Sequence, residues 1–123
     1  MERYCEMKRC LIVDEDRDWR GQVQDYLSSR GFEIQEADNV TTAYEKYICG
    51  RPDMIFVGTP DPSDFVRQLM RNVEGVDPIV ILCPDPADIG SLGKAIWNGA
   101  TDYMIKPYSQ DILDAKLRQT GML

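Results

Sequence analysis

Three acidic residues in a row, Asp14, Glu15 and Asp16, follow directly on the apolar run Leu11-Ile12-Val13. Carboxylates gathered at the end of a strand repel one another unless a cation lies between them. Two kinds of cation suit: a divalent ion such as Mg²⁺, which takes carboxylate oxygens, or a lysine reaching across from a neighbouring strand. Lys106, which closes the stretch Tyr103-Met104-Ile105, is such a lysine. The same acids would also suit the first turn of a helix, where the dipole favours negative charge. Taken alone they read that way, and it is Lys106-Pro107 that turns them into a candidate site. A third apolar run, Met54-Ile55-Phe56-Val57, ends in Gly58, where the lack of a side chain permits a turn or a close backbone approach.

Those residues have to be carried by regular elements, and the chain alternates strand-like with helix-like segments throughout. Arg9 to Val13, Met54 to Val57 and Pro78 to Cys83 are short apolar runs that predict buried strands. Phe32 to Ala37 is more polar, which predicts an edge strand, and Tyr103 to Ile105 predicts a fifth strand. Between them lie amphipathic stretches. Arg17 to Arg30 places Trp19, Val23, Tyr26 and Leu27 at helical spacing and stops at Gly31. Asn39 caps a helix over Val40 to Cys49, and Asp64 to Val73 predicts another. Ala87 to Asn98 is helical in pattern but weakened by Gly90 and Gly93. Ser109 caps a last helix ending near Gln119. Strands buried on both faces and joined by helices predict a parallel sheet covered on two sides, an α/β fold. In such sheets the working crevice lies at the carboxyl ends of the strands. Asp14, Glu15, Gly58, Cys83 and Lys106 all fall there.

Composition bounds the function. The 123 residues suffice for one domain, read as 1–123 with a core over about 9–119, and 43% hydrophobic content supplies a single core. A formal net charge of −7 without a basic cluster argues against nucleic-acid binding, which needs concentrated Lys and Arg. No apolar run approaches the roughly 20 residues of a membrane span. The first residues are polar rather than signal-like, which predicts a cytoplasmic protein. Cys5, Cys10, Cys49 and Cys83 form no Cys-x-x-Cys pair, and the chain has no histidine. Zinc spacings and His-activated nucleophiles are therefore absent, and the thiols read as reduced.

The stretches Leu11-Ile12-Val13-Asp14-Glu15-Asp16, Pro52-Asp53-Met54-Ile55-Phe56-Val57-Gly58 and Gly99-Ala100-Thr101-Asp102-Tyr103-Met104-Ile105-Lys106-Pro107 resemble, in order and spacing, the receiver domain of two-component response regulators. The resemblance runs from Arg9 to about Gln119. It implies a flavodoxin-like (βα)5 three-layer sandwich with a five-stranded parallel sheet of order 2-1-3-4-5. It also implies an acidic pair at Asp14 and Glu15, a phosphoryl-contacting lysine at Lys106 before a cis peptide to Pro107, and a switch aromatic at Tyr103. Two family positions are altered. Gly58 stands where the phosphoacceptor aspartate belongs, and Cys83 where a Thr or Ser hydroxyl follows the phosphoryl group, a thiol being a weak donor. Pro84 replaces the small residue after it, and the segment after Pro62 is shortened before Asp64.

These departures set the expectations. Asp14 and Glu15 facing Lys106 leave a net charge of about −1 rather than −2, so Lys106 can neutralise the pair and Mg²⁺ affinity should be weak or absent. Gly58-Thr59-Pro60-Asp61-Pro62 and Pro84-Asp85-Pro86 should stiffen the loops, since proline fixes φ. The reading is a binding module rather than an enzyme, in two-component or phosphorelay signalling. It would act without phosphorylation, through a signalling partner or a fused output domain. Tyr103, Asp102 and Tyr108, with the helix from Ser109, would present an aromatic-and-charged face able to pair with a second copy through helix four, strand five and helix five. Trp97 is read as core packing against the sheet, with display on that face as the alternative. Gly90 and Gly93 mark helix four as the most mobile element. The alternative function is a working receiver that phosphorylates a substitute such as Asp61. A flavin or nucleotide site on the same scaffold is disfavoured by Asp14-Glu15-Asp16, which would repel phosphate.

Overall fold

Odd and even residues of the central strands point to opposite sides, and this alternation builds two separate cores. Leu11, Val13, Ile55, Val57, Val80 and Leu82 belong to one cluster. Cys10, Ile12, Met54, Phe56, Ile81 and Cys83 belong to the other. A strand that is apolar on both faces must be covered on both faces, and here it is. The computed structural model describes residues 8–123. Cys5, read above as a reduced thiol, lies outside them.

The strands β1 (Arg9–Val13), β2 (Glu33–Ala37), β3 (Met54–Val57), β4 (Ile79–Leu82) and β5 (Asp102–Tyr103) form one sheet of order β2-β1-β3-β4-β5. Every neighbouring pair is parallel. The polar strand β2 lies at one edge as its composition predicts, and β5 at the other. Helices α2 (Val40–Gly50), α3 (Ser63–Arg71) and α4 (Leu92–Trp97) contribute Ala43, Tyr47, Phe65, Val66, Leu69, Leu92 and Ala95 to the first core. Helices α1 (Arg17–Ser29) and α5 (Gln110–Gln119) contribute Val23, Leu27, Leu113 and Leu117 to the second. This is the flavodoxin-like three-layer arrangement expected from the sequence. Asp16, Asn39 and Ser109 cap α1, α2 and α5 by accepting from the backbone N–H groups of Trp19, Thr42 and Ile112.

Helix four departs from expectation. Only Leu92–Trp97 is α-helical, and Pro86–Ser91 before it forms a 3-10 helix. Gly90 weakens the α form, and the Ser91 hydroxyl donates to the Asp88 carbonyl at 3.0 Å, holding the tighter turn. The shortened helix buries one stripe, Leu92 and Ala95. At 100° per residue Trp97 is turned away from that stripe, so it is 89% exposed rather than core. The fifth strand is also displaced, from the expected Tyr103–Ile105 to Asp102–Tyr103.

Candidate functional site

Hydrogen bonds beyond the strand ends draw four residues into one row at the carboxyl edge of the sheet. The Gly58 N–H donates to Val13 O at 2.7 Å, that of Cys83 to Val57 O at 2.7 Å, and that of Lys106 to Pro84 O at 2.8 Å. Asp14 follows β1 and donates its own N–H to Ala37 O at 3.0 Å. Asp14, Gly58, Cys83 and Lys106 thus converge as the sequence predicts, and the Lys106–Pro107 peptide is cis.

The charge chemistry centres on one ion pair. Lys106 Nζ lies 2.6 Å from Asp14 Oδ2, and both residues are buried, at 8% and 4% exposure. The other carboxylate oxygen of Asp14 accepts from the Asp16 N–H at 3.0 Å. Both oxygens are therefore satisfied from within the chain, the condition under which a buried carboxylate is tolerated. Arg20 adds a further tie, donating to the Asp14 carbonyl at 2.6 Å while pairing with Glu36 at 2.9 Å.

Gly58 makes this geometry possible. A Cβ at that position would stand 2.7 Å from Asp14 Cγ and would overlap Oδ2. The carboxylate of Asp14 fills the space that any side chain at 58 would claim.

Trp19 and Tyr108 cover the pair. The Trp19 ring centroid is 5.8 Å from Lys106 Nζ, within cation–π reach. The ring meets Tyr108 edge-on at 4.8 Å and donates from Nε1 to its hydroxyl at 3.3 Å. That hydroxyl in turn faces Cys83 Sγ at 3.8 Å. Burial pushes the Cys83 thiol up to about 12, against the smaller opposing effects of the Tyr108 hydrogen bond and the Lys106 charge. Burial likewise pushes the Tyr108 phenol well above its ordinary value, and the neighbouring Cys83 adds to it. Tyr108 therefore belongs to the crevice and not to the outer face predicted for it.

Other expected residues fall elsewhere. Glu15 is exposed and does not join Asp14 against Lys106. Asp61 is exposed and accepts from the Ser63 hydroxyl at 3.2 Å. The Thr59 hydroxyl is buried and, among the described residues, has no hydrogen-bond partner. Asp102 pairs with Lys116 at 2.8 Å, and Lys116 lies 6.0 Å from the ring of the exposed Tyr103. Burial raises the Asp102 carboxyl, but the Lys116 and Tyr103 N–H hydrogen bonds outweigh it and hold it below the ordinary value. Of the residues predicted for an outer face, Tyr103 and Asp102 do lie there.

Both carboxylate oxygens of Asp14 are already engaged within the chain, which disfavours Mg²⁺ in this arrangement. The one buried carboxylate is bonded to a lysine and an amide, and no group of three or more metal-ligating side chains occurs among the described residues. Sequence reasoning missed Trp19 as part of the site, having placed it only on the apolar stripe of α1. Its position three residues after the cap Asp16, in the first turn facing the strand ends, was the available signal.

Comparison with known proteins places this geometry. The model of the response regulator receiver domain matches residues 10–118. Chemotaxis protein CheY of Bacillus subtilis is 31% identical over 111 residues, which cover 87% of this chain and 92% of that protein. The transcriptional regulatory protein YxdJ of the same organism is 28% identical over 116 residues, 91% of this chain but 49% of YxdJ, so the chain spans about half of that relative. A receiver domain from Bermanella marisrubri superposes with a TM-score of 0.81 at 24% identity, covering 93% of this chain and 98% of that one. No helix among the described residues is long and apolar enough to cross a membrane. With nearly its whole length matched and the strand order in agreement, the chain belongs to the response regulator receiver domain family.

Proposed function

We propose that this receiver domain signals by protein–protein contact that does not depend on aspartyl phosphorylation. The observation that carries the reading is the buried Asp14–Lys106 pair seated against Gly58. An aspartyl phosphate needs a carboxylate aligned with a lysine and a metal ion. Gly58 offers no carboxylate at the end of β3, and Asp14 occupies both the lysine and the space. With Cys83 in place of a hydroxyl and Tyr108 packed against it, movement at that position has no phosphoryl group to follow. The domain is a binding module without catalytic residues, and its contact is with a signalling partner or with an output module such as a relative twice its length could carry.

Intact mass after incubation with Mg²⁺ and acetyl phosphate tests this. The expected result is no mass gain. A gain of one phosphoryl group would overturn the reading, and mapping would start at Asp61. Gly58→Asp is the companion variant, and its new side chain must evict Asp14 from Lys106 to fit. Labelling of the variant alone would show a competent crevice lacking only an acceptor. An unlabelled variant would show that Glu15, Cys83 and the shortened loop disable it as well.

A further inference from the structure

Trp97 is the most conspicuous exposed apolar group after Val76, and it sits on a held element. Helix α4 is tied to the loop and helix preceding it at both ends. The Ser91 hydroxyl, whose single proton is shared between Asp88 O and Pro60 O, lies 3.1 Å from the latter, and Asn98 Nδ2 donates to Ser63 O at 3.0 Å. Gly99, at φ +127°, lets Met70 of α3 approach so closely that a Cβ would lie 2.7 Å from Met70 Cγ. The six-residue helix is thus held against α3, so the backbone that carries the indole needs no ordering on docking.

The two helices themselves are basic within an acidic chain, while the segments leading into them carry Asp61, Asp85 and Asp88. Helices α3 and α4 together carry Arg67, Arg71 and Lys94 against the single acid Asp64, in a chain of net charge −7. Arg67 is paired with Asp64 at 2.7 Å. Arg71 and Lys94 are exposed and, among the described residues, form no ion pair. Helical spacing sets Lys94 one turn before Trp97. Asn98 faces α3, and Lys94, four residues earlier, lies on the same side, bordering the flank of α3 that carries Arg67 and Arg71.

We infer that the α3–α4 face is a docking surface for an acidic protein segment bearing an apolar pocket or side chain that receives the Trp97 indole. The inference deepens the phosphorylation-independent reading by naming the chemistry of the partner. An exposed Trp on a face that also carries Arg has the composition of interface hot spots. Arg71 and Lys94 select carboxylates. Extended polyanions, nucleic acid or a lipid surface, would meet the acid excess of the whole chain, whereas a short acidic segment interacts within one Debye length, about 8 Å.

Selection of a displayed random-peptide library on the intact chain, with the Trp97→Ala protein as counter-target, tests the inference. Enriched peptides should be acidic with at least one large apolar residue. Their synthetic versions should lose about 30-fold in affinity on Trp97→Ala, as for a truncated hot spot. They should lose about 10-fold on Lys94→Glu or Arg71→Glu, with salt dependence. All three positions are exposed, so unchanged thermal unfolding certifies the variants. Neutral or basic binders, no enrichment, or affinities indifferent to the three substitutions would overturn it. So would sedimentation showing self-association that Trp97→Ala abolishes, which assigns the face to a second copy, or binding of anionic vesicles or single-stranded DNA through the same residues. Repeating the selected binding with Mg²⁺ and acetyl phosphate separates the two proposals. Phosphoryl labelling refutes the phosphorylation-independent reading and leaves the face intact, whereas indifference to Trp97 refutes the face alone.

Discussion

The crevice and the α3–α4 face treat their polar and aromatic groups in opposite ways. At the crevice a carboxylate and a lysine are bonded to each other and covered by Trp19 and Tyr108. On the α3–α4 face an indole and two cations are left to solvent. A group already satisfied inside the chain has little to gain from a ligand, and a group left exposed at no benefit to the fold has most to gain. The proposed docking face therefore lies away from the strand ends, where the family resemblance directs attention, on a surface that the family motifs do not mark.

The largest expected effect breaks the crevice. Lys106→Met leaves Asp14 buried and unpaired, which should cost about 3–5 kcal/mol in urea unfolding. The double variant Asp14→Asn/Lys106→Met should recover most of that loss, because neither charge remains to be desolvated. A double variant as unstable as the single would mean the loss was packing and not charge. Next comes Thr59→Val, which replaces an unpartnered buried hydroxyl by a methyl of similar shape and should gain about 1 kcal/mol.

Alkaline titration sharpens the crevice side further. Burial raises the Cys83 thiol from an ordinary value near 9 to about 12, so between those values the folded chain holds a proton that the unfolded chain has lost. Stability should be intact below pH 9 and fall as pH rises through that window, and Cys83→Ala should flatten the decline. Alkylation mapped by peptide mass should label the exposed Cys49 and spare the buried Cys10 and Cys83 until the chain unfolds. The smallest effect lies on the other side of the comparison. Trp97→Ala should change stability by no more than about 0.5 kcal/mol, despite removing the largest kind of side chain, because that side chain buries little.

Much of this was legible in the sequence where a residue's environment depends on its near neighbours. The apolar runs fixed β1 and β3 to the residue, and Asn39 and Ser109 declared themselves as caps. Lys106 against Asp14 followed from charge together with the Lys106-Pro107 stretch at the end of the fifth strand. Legibility failed where a neighbour is distant or a period is broken. Trp19 and Tyr108 meet across 89 positions, and no local pattern announces that contact. Glu15 was expected beside Asp14 against Lys106, although successive residues leaving a strand point to different sides, and it is exposed. Trp97 was misplaced because hydrophobicity argues for burial, while the switch from 3-10 to α-helix at Leu92 resets the rotation that decides it. Gly58 was read as a loss, and only the packing shows that its empty position is filled by Asp14.

The most direct test of the crevice's self-sufficiency is a Mg²⁺ titration followed by NMR at the Asp14 and Asp16 amides and the Trp19 indole N–H. Asp14 already bonded to Lys106 and to the Asp16 amide predicts no saturable shift at any of the three up to millimolar Mg²⁺. A saturating shift shared by the three signals would show that the ion displaces Lys106 from Asp14, and would contradict the account.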